Sequence, residues 1–436
     1  MKLRSNSRYP YLFLIRFSIM GSNFLSAILI ADSILSNYPR GTYGVYALVV
    51  SFSFFLPLIE LGLGQSVYNH YTSTPREFFH KAFFLKMFKL IWLIICIWLI
   101  VIIVCWKLQI FSIFVDRVAV IDHSNTILAG ALVIYCLSIP FTLGLRILQT
   151  IPNLIPIFIF QGLILPLTYL LITFLPPETT SSLTSILFAP PVLLLLSNIA
   201  IFWISLKYFP RNNKHSSVFP QAFESFNLGF WTLTATLGSL LFTFLPRIFL
   251  GVNQMYEQLD EYSLLINLIL PLLSIVTLYS STINPEFRRS NGTLGRSWLL
   301  AKIRISLSLG VASMAFLVIG NLLLSRFDLP ALNSATVLVG CILIGAYSIY
   351  FVPLSAKTEV QEVRFFALFS LLASVVASVL FFGFRPVGLN GVLISTLGVS
   401  YLLMVTAAMI SLRSKHPDSY ISSRNRYFKK RKIQYE

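Results

Sequence analysis

The chain alternates long apolar stretches with short polar ones from end to end. An apolar run of about 20 residues crosses a hydrocarbon core of about 30 Å as a helix. Twelve such runs are predicted, at 11–36, 42–71, 81–106, 124–150, 152–175, 185–209, 226–251, 260–285, 298–325, 331–355, 363–384 and 389–412. The narrowest division is Ile151-Pro152-Asn153, where proline removes a backbone donor and turns the preceding residue away from helix. Pro176-Pro177 ends the fifth run in the same way. The runs are continuous rather than alternating over short segments, which sets aside a transmembrane β-barrel. The expected class is an all-α integral membrane protein.

Polar residues inside these runs carry the chemistry. In 41–71 a Gly-Thr-Tyr-Gly-Val-Tyr turn leads into an almost wholly apolar stretch that ends on Glu60, followed by Leu61-Gly62-Leu63-Gly64. A charge at mid-bilayer costs roughly 2.5 kcal/mol or more, so Glu60 is expected to face protein or water. Tyr46, Ser53 and Glu60 recur every seventh residue and share one side of a helix. Glu60 either couples transport to an ion or pairs with a cation such as Arg16 or Arg247. Gly62 and Gly64 allow close helix approach.

Arg16 lies about a turn inside the first span, with Asn23 on the same stripe. It faces a central cavity, or it snorkels along its own stem to the interface. Arg247 lies deeper, in the seventh span, sharing a stripe with Thr232, Thr236 and Thr243 beside Pro246. Hydroxyls ending in a guanidinium suit a wet path for phosphate or sugar, although threonines also join helices by hydrogen bonds. In the eighth span Ser263, Asn267, Ser274 and Ser281 share one side. Arg146 reads as an interfacial anchor, and Asp32, Asp260 and Glu261 as solvated caps at outward helix ends.

Charge settles orientation. Only 11% of residues are charged against 56% hydrophobic, and mean hydropathy is +0.79. Most of the 33 Lys and Arg fall in the N-terminus, the even-numbered loops and the C-terminus. The opposite side holds Arg40, Lys107, Arg117, Arg326 and Arg385, so both termini are expected in the cytoplasm. The net charge of +17 is then mostly topogenic. The basic tail at 413–436 suits anionic lipid better than nucleic acid. Cys96, Cys105, Cys136 and Cys341 are scattered through apolar runs, and the five histidines lack ligand spacing, so no metal is expected. Paired carboxylates, a nucleophile elbow and a phosphate-cradling glycine loop are all missing from the sequence, and no enzyme is expected.

The linker 210–225 separates six spans from six. Laying the second half on the first sets Tyr262 on Tyr46, each near the start of the second span of its half. Six is even, so the halves would be parallel repeats about an axis along the membrane normal. The organisation is an N-terminal lobe 1–209, the linker, a C-terminal lobe 226–412 and the tail.

Tyr43-Gly44-Val45-Tyr46 and Glu60-Leu61-Gly62-Leu63-Gly64 resemble the second-span signature of polysaccharide flippases in the multidrug/oligosaccharidyl-lipid/polysaccharide exporter superfamily. The stretch 245–286 resembles that family's second-half signature, with two departures. Pro246 replaces the acid of an acid-basic pair, leaving Arg247, and Glu261 replaces the glycine before Tyr262.

The resemblance implies two six-helix lobes around a central cavity open alternately to each side. It implies a Wzx-type flippase moving undecaprenyl-pyrophosphate-linked oligosaccharide, an O-antigen or capsule unit, to the outer leaflet of a bacterial cytoplasmic membrane. Arg16, Asn23, Thr243, Arg247 and Asn267 are the candidate cavity residues, with the arginines suited to a pyrophosphate. No cofactor is expected, and coupling to a proton or sodium gradient stays open. Partners would be the lipid-linked oligosaccharide, membrane lipids, a polysaccharide polymerase and a chain-length regulator. The alternatives are a drug or cation extruder of the same superfamily, a membrane polymerase or glycosyltransferase, and an assembly scaffold.

Overall fold

In the computed structural model every apolar run, as far as it is described, is helical. The structure describes residues 9–38, 41–73, 81–111, 124–148, 162–174, 180–209, 256–289, 296–326 and 331–356, with scattered positions in 227–255 and 363–379. The linker 210–225, the span expected at 389–412 and the basic tail lie outside the described residues.

Ten helices follow in chain order. These are α1 (Tyr9–Asn37), α2 (Thr42–Ile59), α3 (Leu63–Ser73), α4 (Lys81–Lys107) and α5 (Ser124–Leu148). Then come α6 (Ile164–Phe174), α7 (Thr180–Leu206), α8 (Tyr256–Arg289), α9 (Arg296–Arg326) and α10 (Ser334–Ala356). Gly229, Arg247 and their described neighbours are also helical. The described residues include no strand.

The outward faces of α4 and α9 are apolar. On α4, Leu93, Ile97, Ile100 and Ile103 are exposed, and on α9 so are Val311, Ile319 and Leu322. Both helices are long and apolar enough to cross a membrane. An apolar outward face on a helix that long is stable in a bilayer and unstable in water. Lys107 lies over the Trp106 ring at 5.0 Å and Lys302 over Trp298 at 5.4 Å, as amphipathic side chains do at a membrane–water boundary.

Glycines set the tightest helix pairs. The site of a Cβ on Gly130 faces the Phe188 ring, and that on Gly144 faces the Phe202 backbone. The two pairs have the same separation along the chain, so α5 and α7 run parallel in close register. Gly310 of α9 faces Ser348 of α10, where Ser306 Oγ also donates to the Ser348 carbonyl at 2.7 Å. Small residues at these positions bring backbones together where lipid supplies no hydrophobic drive between helices.

The middle of the fold belongs to α2 and α8. Helix α2 packs on α1, α5, α7 and α8, and α8 packs on α1, α9 and α10 as well. The expected span 42–71 is broken, a correction to the single helix read from its apolar pattern. Leu61 and Gly62 adopt positive φ, 52° and 76°, and separate α2 from α3. An L-residue in that region is costly, so neighbouring contacts must hold Leu61 there.

Candidate functional site

The site grows from the two ends of α2. Its N-terminal end opens at Gly41, whose φ of 87° glycine adopts freely. The first N–H groups of a helix lack partners within the helix. Here the partner is Asp260 of α8, 7% exposed, which accepts from Gly41 N at 2.8 Å and from Gly44 N at 2.7 Å. A carboxylate over a helix N-terminus also meets the positive end of the dipole. Gly44 makes the approach feasible, because a Cβ there would overlap Leu259 and lie 3.3 Å from Asp260 Oδ1. Asp260 is thus no solvated cap of its own helix, as the sequence led us to expect. It caps a helix from the other half of the chain.

One turn deeper lies Arg247, 1% exposed. Nη1 donates to the Ala47 carbonyl at 3.1 Å and to Ser51 Oγ, both on α2. Nη2 donates to the Ser263 carbonyl at 3.1 Å and to Asn267 Oδ1 at 2.9 Å, both on α8. Asn267 Nδ2 continues the network to Tyr43 Oη at 2.8 Å. A buried guanidinium without such partners would lose several kcal/mol of hydration with nothing in return. Charge-assisted bonds of about 1.5–3 kcal/mol each offset that loss.

At the C-terminal end of α2 stands Glu60, 2% exposed. Its carboxylate accepts from the Gly64 backbone N–H, from Thr142 Oγ1 at 3.4 Å, and faces Arg146 Nη2 at 3.9 Å. Among the described residues its cation is Arg146 of α5 and not Arg247, while the Arg16 side chain lies outside them. Arg146 in turn is more than an interfacial anchor. Glu60 folds back over the start of α3, and Gly64 leaves it room: a Cβ there would lie 2.7 Å from Oε2 and 2.8 Å from the carboxyl carbon. Gly64→Ala is expected to lose about 1–3 kcal/mol by overpacking. Gly320→Ala, whose Cβ would meet the Phe24 ring at an ordinary 3.5 Å, is expected to lose nothing. Thermal unfolding in detergent compares the two.

A second backbone crossing lies beside Glu60. A Cβ on Gly62 would sit 3.1 Å from the Gly229 carbonyl carbon, and one on Gly229 would sit 2.9 Å from Gly62 O. Both ends of α2 thus rest against the second half of the chain.

Of the candidate cavity residues, Arg247 and Asn267 are brought together. Asn23 is half-buried on α1, with its Oδ1 lacking a hydrogen-bond partner among the described residues. Arg16 is helical in α1, but its side chain lies outside the described residues, as do Thr243, Thr232 and Thr236. Glu261 accepts from Asn333 and, at 2.8 Å, from Thr336 Oγ1, tying α8 to the start of α10. Sequence reasoning missed Ser51, Asp260, Thr142 and Arg146. The offset that sets Tyr262 on Tyr46 holds a signal for two of them: it also sets Asp260 on Gly44 and Asn267 on Ser51.

No protein-family model and no curated protein matches the sequence. Solved structures match over nearly its whole length. The lipid II flippase MurJ in an inward closed conformation is 15% identical, with a TM-score of 0.56, covering 94% of this chain and 89% of that one. The MATE multidrug transporter DinF-BH is 13% identical, with a TM-score of 0.56, over 95% and 97%. A MOP superfamily transporter from Pyrococcus furiosus, described by a reverse polarity of its binding pocket, is 14% identical, with a TM-score of 0.57, over 92% and 93%. The chain therefore has the all-α, multi-span membrane fold that MurJ, MATE and other MOP superfamily transporters share.

Proposed function

We propose that this protein is a flippase for a lipid-linked oligosaccharide. Two lobes, 1–209 and 226–412, would rock about the α2–α8 seam and open alternately to each side of a bacterial cytoplasmic membrane. The observation that carries the reading is Arg247: a guanidinium held deep in a transporter fold, by neutral oxygens from both halves. When the seam parts, such a cation faces the space between the lobes. There a pyrophosphate outcompetes neutral oxygens, because it offers charge and paired acceptors. Asn267, Asn23 and Thr243 would serve the sugar, Arg16 would add a second cation, and the polyprenyl tail would stay in the bilayer. The substrate reading also draws on the resemblance of 41–71 to polysaccharide flippases and on a structural neighbour that flips lipid II. The sugar repeat is then an O-antigen or capsule unit, and a polymerase and a chain-length regulator act after the flip.

Proteoliposomes test this. A fluorescent polyprenyl-pyrophosphate oligosaccharide is loaded in one leaflet, and its exposure to an impermeant quencher reports transfer. Wild-type protein is expected to equilibrate the leaflets without elongating the sugar. Arg247→Ala is expected to slow transfer by about tenfold or more, the effect of deleting one group from a buried charged network. Wild-type protein that leaves the lipid in place while expelling a cationic dye would establish the drug-extruder alternative instead.

A further inference from the structure

Four oxygens around Arg247 among the described residues are two copies of one pair. The offset between the halves sets Ser263 on Ala47 and Asn267 on Ser51. One terminal nitrogen takes the carbonyl of Ala47 and the side chain of Ser51. The other takes the carbonyl of Ser263 and the side chain of Asn267. One turn towards the N-terminal ends, Gly44 N donates to Asp260, its own equivalent at the same offset. In a two-fold arrangement, only positions on the axis touch their own equivalents. The guanidinium therefore lies where α2 and α8 cross on the internal two-fold axis. Its own shape fits that place: it is planar, with two like ends related by a half-turn. An ammonium, a point charge on a flexible stem, presents no such pair of ends.

We propose that the α2–α8 seam is a guanidinium-binding cage made by the internal repeat, filled in this state by Arg247 of the same chain. Filling it holds the N-terminal ends of α2 and α8 together. The cage binds a planar cation through two backbone carbonyls and two side-chain oxygens, and it selects for both shape and charge. Its consequence for transport rests on the alternating-access reading above: parting the seam empties the cage and frees the guanidinium for an anionic group. The cage itself stands whatever is transported.

Thr42 reports the state of the seam. It is fully buried at the start of α2, between Gly41 and Gly44. Thr42→Cys is placed in full-length protein whose Cys96, Cys105, Cys136 and Cys341 are replaced, and labelling by a water-soluble maleimide is timed. With Arg247 present, labelling is expected to be slow. Arg247→Ala is expected to speed it about tenfold, as one lost 1.4 kcal/mol does. Millimolar guanidinium is expected to slow it again. Urea has the shape without the charge and sodium the charge without the shape, so neither is expected to act. Unchanged labelling in Arg247→Ala overturns the proposal, as does equal rescue by urea or sodium, or no rescue by guanidinium. Should Arg247→Ala fail to accumulate, Ser51→Ala with Asn267→Ala takes its place. That variant keeps the cation and removes two walls, and it must also speed labelling; a wild-type rate overturns the cage. No lipid-linked sugar enters these measurements, so the cage and the proposed substrate fail separately.

Discussion

Gly44→Val is expected to unseat the N-terminal ends of α2 and α8. The added Cβ overlaps Leu259, which is 2% exposed and has nowhere to swing, and it presses on Asp260 Oδ1. Overpacking of this kind costs about 1–3 kcal/mol. The displaced carboxylate also gives up the N–H groups of Gly41 and Gly44. Each of those charge-assisted bonds contributes about 1.5–3 kcal/mol. The sum favours the parted seam by a factor of about a hundred or more. Distances between spin labels on the C-terminal end of α1 and the N-terminal end of α8 should lengthen, and the opposite ends should stay together. Asp260→Asn is the milder counterpart, since an amide oxygen keeps an acceptor for one of the two donors. An unchanged distance distribution in Gly44→Val would show that α2 and α8 do not need their close approach.

The second large effect is expected at Glu60. Glu60→Ala removes the cap of α3, the longer of two acceptors of Thr142 and the anion facing Arg146 in one step. Taking one partner from a buried charged pair typically costs about 3–5 kcal/mol. Arg146 is 23% exposed and relaxes towards water, so the lower end of that range applies. Glu60→Gln keeps an oxygen over the Gly64 N–H and should recover most of the loss. The double variant Glu60→Ala with Arg146→Leu should recover part of it, because it leaves no cation behind. Chemical unfolding in detergent measures all three. Equal losses for Ala and Gln would mean that the carboxylate's charge, and not its capping oxygen, is what the turn requires.

The spans were legible because a bilayer leaves few alternatives. Each residue of Leu93 to Val104 is apolar enough to settle the matter without its neighbours. The break at 60–62 was harder to see. Leu61 has no local reason to take a left-handed backbone, and the apolar pattern runs straight through it. The turn is stabilised by Thr142 and Arg146 in α5 and by the backbone at Gly229, which are remote in sequence. Glu60, Gly62 and Gly64 announced that something happens there without saying what. Asp260 was misread for a related reason. An acid in the first turn of a helix normally serves that helix, and pattern alone does not show a carboxylate reaching a helix in the other half of the chain. Arg247 was legible as a cation deep in its span. The identity of the four oxygens around it was not, because they became visible only when the repeat was folded onto itself.

On the two-fold axis proposed above, a single arginine would break the equality of the two halves. The first-half equivalent of Arg247, at the offset that pairs Ser51 with Asn267, is Ala31, fully buried on α1. The axis has room for one such side chain: a second would place like charges on the same four acceptors. On such an axis one half would keep the residue and the other would do without it. If the proposed cage holds, the halves are unequal partners, one supplying the key and both supplying the lock.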